Sequence, residues 1–299
     1  MKMKKLIIIP LVLVLSSCQN LFGTGNSGLI DQENIDIVRQ INSLATNTFL
    51  RGNKVSLDES IKDFEDTYVP KLKSEDKEEL RKNIEPYIGS NPKAQWVYMN
   101  FYNLPNREAL TVGNDPDTID FIYNLNNGST DFPSFSGESL ELNRKTPFYL
   151  QWDNRWAYND LPPRNIGISG CGPTSMAMIL SRLKNDKTIT PNKISIDART
   201  YMSNEGISWN FFNDGASIYG YTIDDVPLDK DAMIKALEKG PLLVSVSRGY
   251  FTLYGHIFVI DSYQDGKFII NDPNSIKNTM RPWTYEEIHD QIVHMWSVY

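Results

Sequence analysis

Cysteine is nearly missing from this chain, with 2 in 299 residues. A disulfide framework is thereby excluded, and the fold must rest on a packed core. Histidine is almost as scarce, at 3, so few side chains qualify as a general base near neutral pH. Positive charge is in deficit: 30 Lys and Arg stand against 37 Asp and Glu, a net charge of -7. That balance argues against a nucleic-acid partner, which would need a basic stripe. Long apolar runs are absent too. The run from Leu6 to Leu15, interrupted by Pro10, is too short to cross a bilayer as a helix, and no other run reaches about 18 residues. No internal repeat is visible. No His, Cys and acid cluster has metal-ligand spacing, so neither a metal nor a cofactor is expected. What remains is ordinary globular composition, 40% hydrophobic and 22% charged. The length is that of about two domains.

The first residues read as a targeting signal. Lys2, Lys4 and Lys5 precede the apolar run, which ends in Leu15-Ser16-Ser17-Cys18. This order resembles a bacterial lipoprotein signal. The resemblance implies a signal peptide over residues 1–17, acylation of Cys18, and a protein held by its lipid on the extracytoplasmic face of the cell membrane. Residues 18–30, rich in Gly, Ser and Asn, read as a flexible tether. Residues 31–105 are expected to form a helical domain. Ile35, Val38 and Ile41 recur at helical spacing. Ser56 with Glu59 makes a capping box ahead of Ile61, Phe64 and Tyr68. Ser74 is placed as the N-cap of a helix carrying Leu80, Ile84 and Ile88. Residues 106–146 hold several turn signals and read as a connector, with one short helix over 116–125.

From residue 147 the character changes. An aromatic cluster (Phe148, Tyr149, Trp152, Trp156, Tyr158) leads to Gly170-Cys171-Gly172-Pro173 and then a helix with Met176, Ile179, Leu180 and Leu183 apolar. Pro173 suits a first helical turn, where a missing N–H is harmless. A second helix is expected over 229–239, with Gly240 after it, and strands over 242–247, 256–263 and 267–271. Thr284 and Glu287 form a capping box for a last helix, and a final strand covers 295–299. A helix leading into an antiparallel sheet is an α+β layout.

Four residues in this region carry a possible chemistry. Cys171 sits where a Gly-rich loop meets a helix, and first-turn N–H groups there favour a thiolate. A nucleophilic thiol needs a base, and the base needs an orienter. His289 and His294 fall in or at the end of the last helix, where surface positions suit them. His256 instead opens the buried run Ile257-Phe258-Val259-Ile260, at the mouth of a strand. Asp272 ends the next strand. Strand parity sets a condition on the pair. A two-residue Asp265-Gly266 turn alone would put His256 and Asp272 on opposite faces. They share a face if the turn has three residues or if the strand carries a bulge. Gln151, twenty residues before Cys171, offers a side-chain amide to an oxyanion. Trp152, Trp156, Trp209, Phe211 and Phe212 are available either to line a cleft or to pack in the core.

Together Gln151-Trp152, the block Gly170-Cys171-Gly172-Pro173-Thr174-Ser175, Gly255-His256 and Asn271-Asp272-Pro273 resemble papain-like domains related to the bacteriocin-processing cysteine peptidases (peptidase family thirty-nine-like). The resemblance covers residues 147–299. It implies a papain-like domain, its catalytic helix packed on an antiparallel sheet. By this resemblance Cys171 is the nucleophile, His256 the base, Asp272 the orienter and Gln151 the oxyanion donor. The partner is then a peptide or protein substrate, cleaved at a peptide or amide bond. Two features depart from the leader-processing enzymes: Gln151 stands farther from the cysteine, and Gly170 replaces an acidic residue. A surface binding or adhesion lipoprotein on the same scaffold, and a cell-wall amidase or transferase using the same triad, are the rival readings.

Overall fold

The structure, a computed structural model, describes residues 68–128 and 130–299. The expected signal peptide, Cys18, the tether and the helices over 35–45 and after Ser56 lie outside the described residues.

Among the described residues the chain opens with four helices, α1 (Lys77–Lys82), α2 (Pro92–Asn100), α3 (Asn106–Asn114) and α4 (Ile119–Asn127). The N-cap of α1 is Asp76, not Ser74: its carboxylate accepts from the Glu78 and Glu79 amides. A carboxylate at N-cap also complements the helix dipole. Ser74 sits outside, its hydroxyl accepting from Asp76 N. The expected continuation to Ile88 is broken, because Pro86 lies in a separate 3-10 turn, Glu85–Tyr87. Residues 106–127 are more helical than expected. α3 packs on α1 and α4 on α2, so helices on either side of residue 105 share one packing unit.

The remaining elements are β1 (Asp160–Leu161), β2 (Arg164–Asn165), α5 (Ile166–Ser169), α6 (Cys171–Lys184), α7 (Pro191–Ala198), β3 (Met202–Ser203), β4 (Gly206–Ile207), α8 (Asn210–Ile218), β5 (Ile223–Asp225), α9 (Lys230–Leu237), β6 (Leu242–Val246), β7 (His256–Gln264), β8 (Lys267–Asn271), α10 (Ile276–Met280), α11 (Tyr285–Ile288) and β9 (Ile292–Val298). β1–β2 and β3–β4 are small hairpins. The main sheet is antiparallel, in the order β5-β9-β6-β7-β8. The α+β class stands.

Apolar clusters cover both faces of the sheet. Leu243, Ile257, Val259 and Trp296 join the buried face of α6. Val244, Phe258, Ile260 and Met295 join Met233 of α9 and Ile288 of α11. The first cluster also contains Leu80, Val97, Val112 and Phe121, so the helices before residue 128 and the sheet share one continuous core.

His294 lies in β9, not at the end of a helix, and bonds Asp225 of β5 at 2.7 Å. The helix expected there stops at Ile288 and passes through a 3-10 turn. The Thr284–Glu287 capping box is formed as expected.

The turn between β7 and β8 has two residues, Asp265 and Gly266, both with positive φ, and Gln264 pairs with Lys267. The ladder then shifts: Ser262 pairs with Ile269 but Ile260 with Ile270. Asp261 is therefore an extra residue in β7, a β-bulge. The second of the two conditions set by strand parity is the one the fold meets.

Candidate active site

Cys171 is the first residue of α6, after the tight turn at Gly170. The flanking glycines are closely packed. A Cβ on Gly170 would meet Ile166 O at 2.4 Å, and one on Gly172 would meet Ile207 Cγ2 at 3.0 Å. Their smallness serves the turn from α5 to α6 and the seating of β4 beside the thiol. Ser175, one turn along, donates to Ile257 O at 3.1 Å, which fastens the start of α6 to the start of β7.

That fastening brings Cys171 to His256. His256 and Cys171 line the same cleft, and His256 and the backbone amides of Ile257 and Gly172 all act to lower the thiol pKa. The other side of the ring is committed: His256 Nε2 lies 2.7 Å from Asp272 Oδ1. With Nε2 so engaged, Nδ1 is the nitrogen left for Cys171.

Asp272 is fully buried and held on several sides. Its Oδ1 also accepts from Asn274 N at 2.9 Å, and its Oδ2 from Asn278 Nδ2 at 2.9 Å. Thr279 Oγ1 accepts from Asp272 N at 2.9 Å. Asn278 in turn accepts from Tyr68 Oη at 3.2 Å. Two indoles brace the same loop, Trp152 Nε1 donating to Asn274 O and Trp283 Nε1 to Asn278 O, each at 2.9 Å. No sequence signal singles out Asn278; only the fold of the loop after Asp272 brings it to the carboxylate.

The electrostatics follow from this geometry. Burial pushes the Cys171 thiol up, but the hydrogen bond and charge of His256 and the two backbone amides outweigh it, so the thiol is held below its ordinary value. Burial pushes the His256 imidazole down. The Asp272 charge and hydrogen bond, with the Cys171 contact, overcome that and raise it to about 10. Burial would raise Asp272 as well, yet His256, Asn278 and Asn274 N keep it below the usual carboxylate range. Opposite charges a hydrogen bond apart stabilise each other in a site from which water is largely excluded. The arrangement favours a thiolate–imidazolium pair.

Gln151 is 4% exposed, and its Nε2 donates to Gly167 O at 2.8 Å. A side-chain amide carries two N–H donors, so one is left over.

Cys171, His256 and Gln151 line a cleft of about 320 Å³. One wall comes from α3, with Arg107, Leu110 and Asn114, and from Lys73 ahead of α1. Met202 and Ile207 of the β3–β4 hairpin line it as well. Arg107 Nη2 donates to Asn204 O at 3.1 Å and ties helix to hairpin. Of the aromatics considered for the cleft, Trp209 lines it, 41% exposed, while Trp156, Phe211 and Phe212 are buried in the core. Trp152 is buried also and turns its N–H to the Asp272 loop.

No curated protein matches the chain. Two solved structures are similar to it. The peptidase domain of Streptococcus ComA, a bifunctional ABC transporter involved in a quorum-sensing pathway, shares 16% identity over 48% of this chain and 96% of that one, with a TM-score of 0.34. A double-glycine motif protease from an AMS/PCAT transporter, in complex with the leader peptide, shares 17% over 52% and 92%, also with a TM-score of 0.34. The model of the Peptidase_C39 like family matches residues 144–297, a span that begins just before the aromatic cluster and contains Gln151, Cys171, His256 and Asp272. By that match the chain belongs to the Peptidase_C39 like family of cysteine peptidases.

Proposed function

We propose that the protein is an extracytoplasmic cysteine peptidase, anchored by lipid at Cys18, that cleaves a peptide or amide bond with Cys171, His256 and Asp272. The observation that carries this reading is the 2.7 Å contact of Asp272 with a His256 that shares its cleft with the thiol at the start of α6 and lowers its pKa.

Each step follows from those contacts. The Cys171 thiolate attacks the carbonyl carbon, and the carbonyl oxygen takes the charge. The Cys171 backbone N–H and the spare N–H of Gln151 are the donors for that oxyanion. His256, protonated and held by Asp272, gives its Nδ1 proton to the leaving amine as the tetrahedral intermediate collapses to a thioester. Water, deprotonated by the now neutral ring, then releases the acyl group and restores the pair. Asp272 fixes the tautomer and orientation of the ring and stabilises its charge. An acceptor other than water would make the same site a transferase.

The test is alkylation of Cys171 against pH in the full chain carrying Cys18→Ser, where Cys171 is the sole thiol. The expected thiolate forms well below the free-cysteine value of about 8.5, and His256→Ala abolishes that low-pH reactivity. An ordinary titration, unmoved by the substitution, rejects the enzyme and leaves a binding protein on a peptidase scaffold. Turnover of a peptide panel, compared with turnover of cell-wall muropeptides, then fixes the substrate class.

A further inference from the structure

We propose that the bulge at Asp261 is a positioning device for the active site: Arg182 of the nucleophile's own helix holds Asp261 outside the β7 ladder, and this keeps His256 on the face where it meets Asp272. The inference deepens the triad reading and rests on it for its catalytic meaning, while the geometry it concerns is measured separately.

The argument is one of parity. Successive strand residues point to opposite sides, so a slip of one residue transfers every side chain beyond it to the other face. The two-residue turn fixes Gln264 opposite Lys267. Extended without interruption, that register would bring Val259 opposite Asp272, and His256 would point away from the carboxylate. The shift at Asp261 brings Val259 opposite Asn271 instead. His256 and Asp272 then lie diagonally on one side of the ribbon, where their 2.7 Å contact forms.

A bulge needs its surplus polar groups satisfied, and this one is built for that. Asp261 is 2% exposed. Its Oδ1 accepts from Thr146 N at 2.7 Å and from Arg182 Nη1 at 3.2 Å, and its Oδ2 accepts from Ser262 Oγ at 3.0 Å. The same Arg182 Nη1 also donates to the Asp261 carbonyl and to Thr146 Oγ1, each at 3.0 Å. Arg182 stands in the last turn of α6, the helix that Cys171 opens. One side chain therefore fixes the helix of the nucleophile to the residue that aims the base.

The proposal predicts that Asp261 does not count in the ladder. Three variants of the full chain, each with Cys18→Ser, test it: Asp261→Asn, deletion of Asp261, and insertion of one glycine between Ser262 and Tyr263. The deletion leaves Ser262 opposite Ile269, Ile260 opposite Ile270 and Val259 opposite Asn271, the native pairs without a bulge. The inserted residue instead turns His256 away from Asp272. The primary readout is the low-field N–H resonance of the His256 ring bonded to Asp272, assigned by its loss in His256→Gln. It does not depend on reactivity at Cys171. Asp261→Asn and the deletion keep the resonance, and the insertion loses it. Alkylation of Cys171 at pH 6 follows the same order, falling about tenfold or more in the insertion, as a shift of one unit or more in the thiol requires. A deletion variant that loses the resonance overturns the proposal. So does an insertion variant that keeps it. If the resonance follows this order but the wild-type thiol titrates as a free cysteine, the register device stands and the peptidase reading falls.

Discussion

Nε2 of His256 is spent on Asp272, and that single commitment decides what each neighbour is able to do. Asp272→Asn keeps the shape of the loop but removes the charge that stabilises the imidazolium. The expected result is a loss of roughly three to four orders of magnitude in kcat, with the protein still folded, measured on whichever peptide the wild type turns over. Gln151→Ala removes one oxyanion donor and is expected to lower kcat about 10²–10³-fold with little change in the Cys171 titration. A titration that moves with Gln151 would show that the amide acts on the thiol instead. The pH profile has a defined sign. Cys171 loses its proton below its ordinary value, and His256 keeps its own until about 10. The ion pair occupies the window between, so the rate should rise on the acid side with thiol deprotonation and fall again near pH 10 as the ring deprotonates. A profile still rising beyond that point contradicts the pairing.

At the level of elements, close packing leaves little slack around the thiol. A Cβ on Gly167, in α5 just before Cys171, would meet Phe121 Cζ of α4 at 2.3 Å. Gly167→Ala should therefore destabilise by about 1–3 kcal/mol through overpacking, read as a lower midpoint in urea. Restoration by Phe121→Leu in the same chain would identify the ring as the cause. Asp261→Ala strands the buried end of Arg182 and should cost about 3–5 kcal/mol, a loss that Asp261→Asn softens. The elements most legible from sequence were those with strong local signals. The apolar run after His256, the Thr284–Glu287 capping box and the helix after Cys171 fall where the residues place them. Elements that exist through partners were not legible. β5 is three residues long and mostly exposed, and it is a strand because β9 lies beside it. His294 sits in β9 because Ile292 and Met295 belong under α9 and α11, a tertiary demand that outweighs helical spacing. In the candidate site, Cys171, His256 and Asp272 stood out by their immediate neighbours in sequence. Asn278 and Asp261 did not, since their roles arise from a loop closure and a bulge that no local pattern announces.

The whole molecule extends the apolar cluster from Leu80 to Val298 without a break. Ion pairs and hydrogen bonds cross the same boundary. Lys73 N donates to Gly249 O at 2.9 Å, Asp117 pairs with Lys277 at 3.7 Å, and Glu75 pairs with Arg248 at 3.1 Å. A shared core makes independent unfolding of the two parts costly, so denaturation should show one transition, with far-ultraviolet circular dichroism and Cys171 accessibility changing together. Two separated transitions would show that the helices before residue 128 unfold on their own. Since Arg107 and Leu110 line the cleft, substitutions there should change KM for a substrate more than they change the Cys171 titration.

The bracing of the Asp272 loop by the Trp152 and Trp283 indoles has an optical consequence. Two of the 6 tryptophans are bonded to carbonyls on either flank of the carboxylate, in surroundings that exclude water. Ultraviolet excitation of the native protein samples that loop together with the other tryptophans, which Trp152→Phe and Trp283→Phe tell apart. An opening of the loop that breaks either indole bond wets that ring and moves its emission to longer wavelength. The chain thus carries its own dye for the state of the Asp272 loop, and a rapid-mixing experiment can follow rearrangement there without a label.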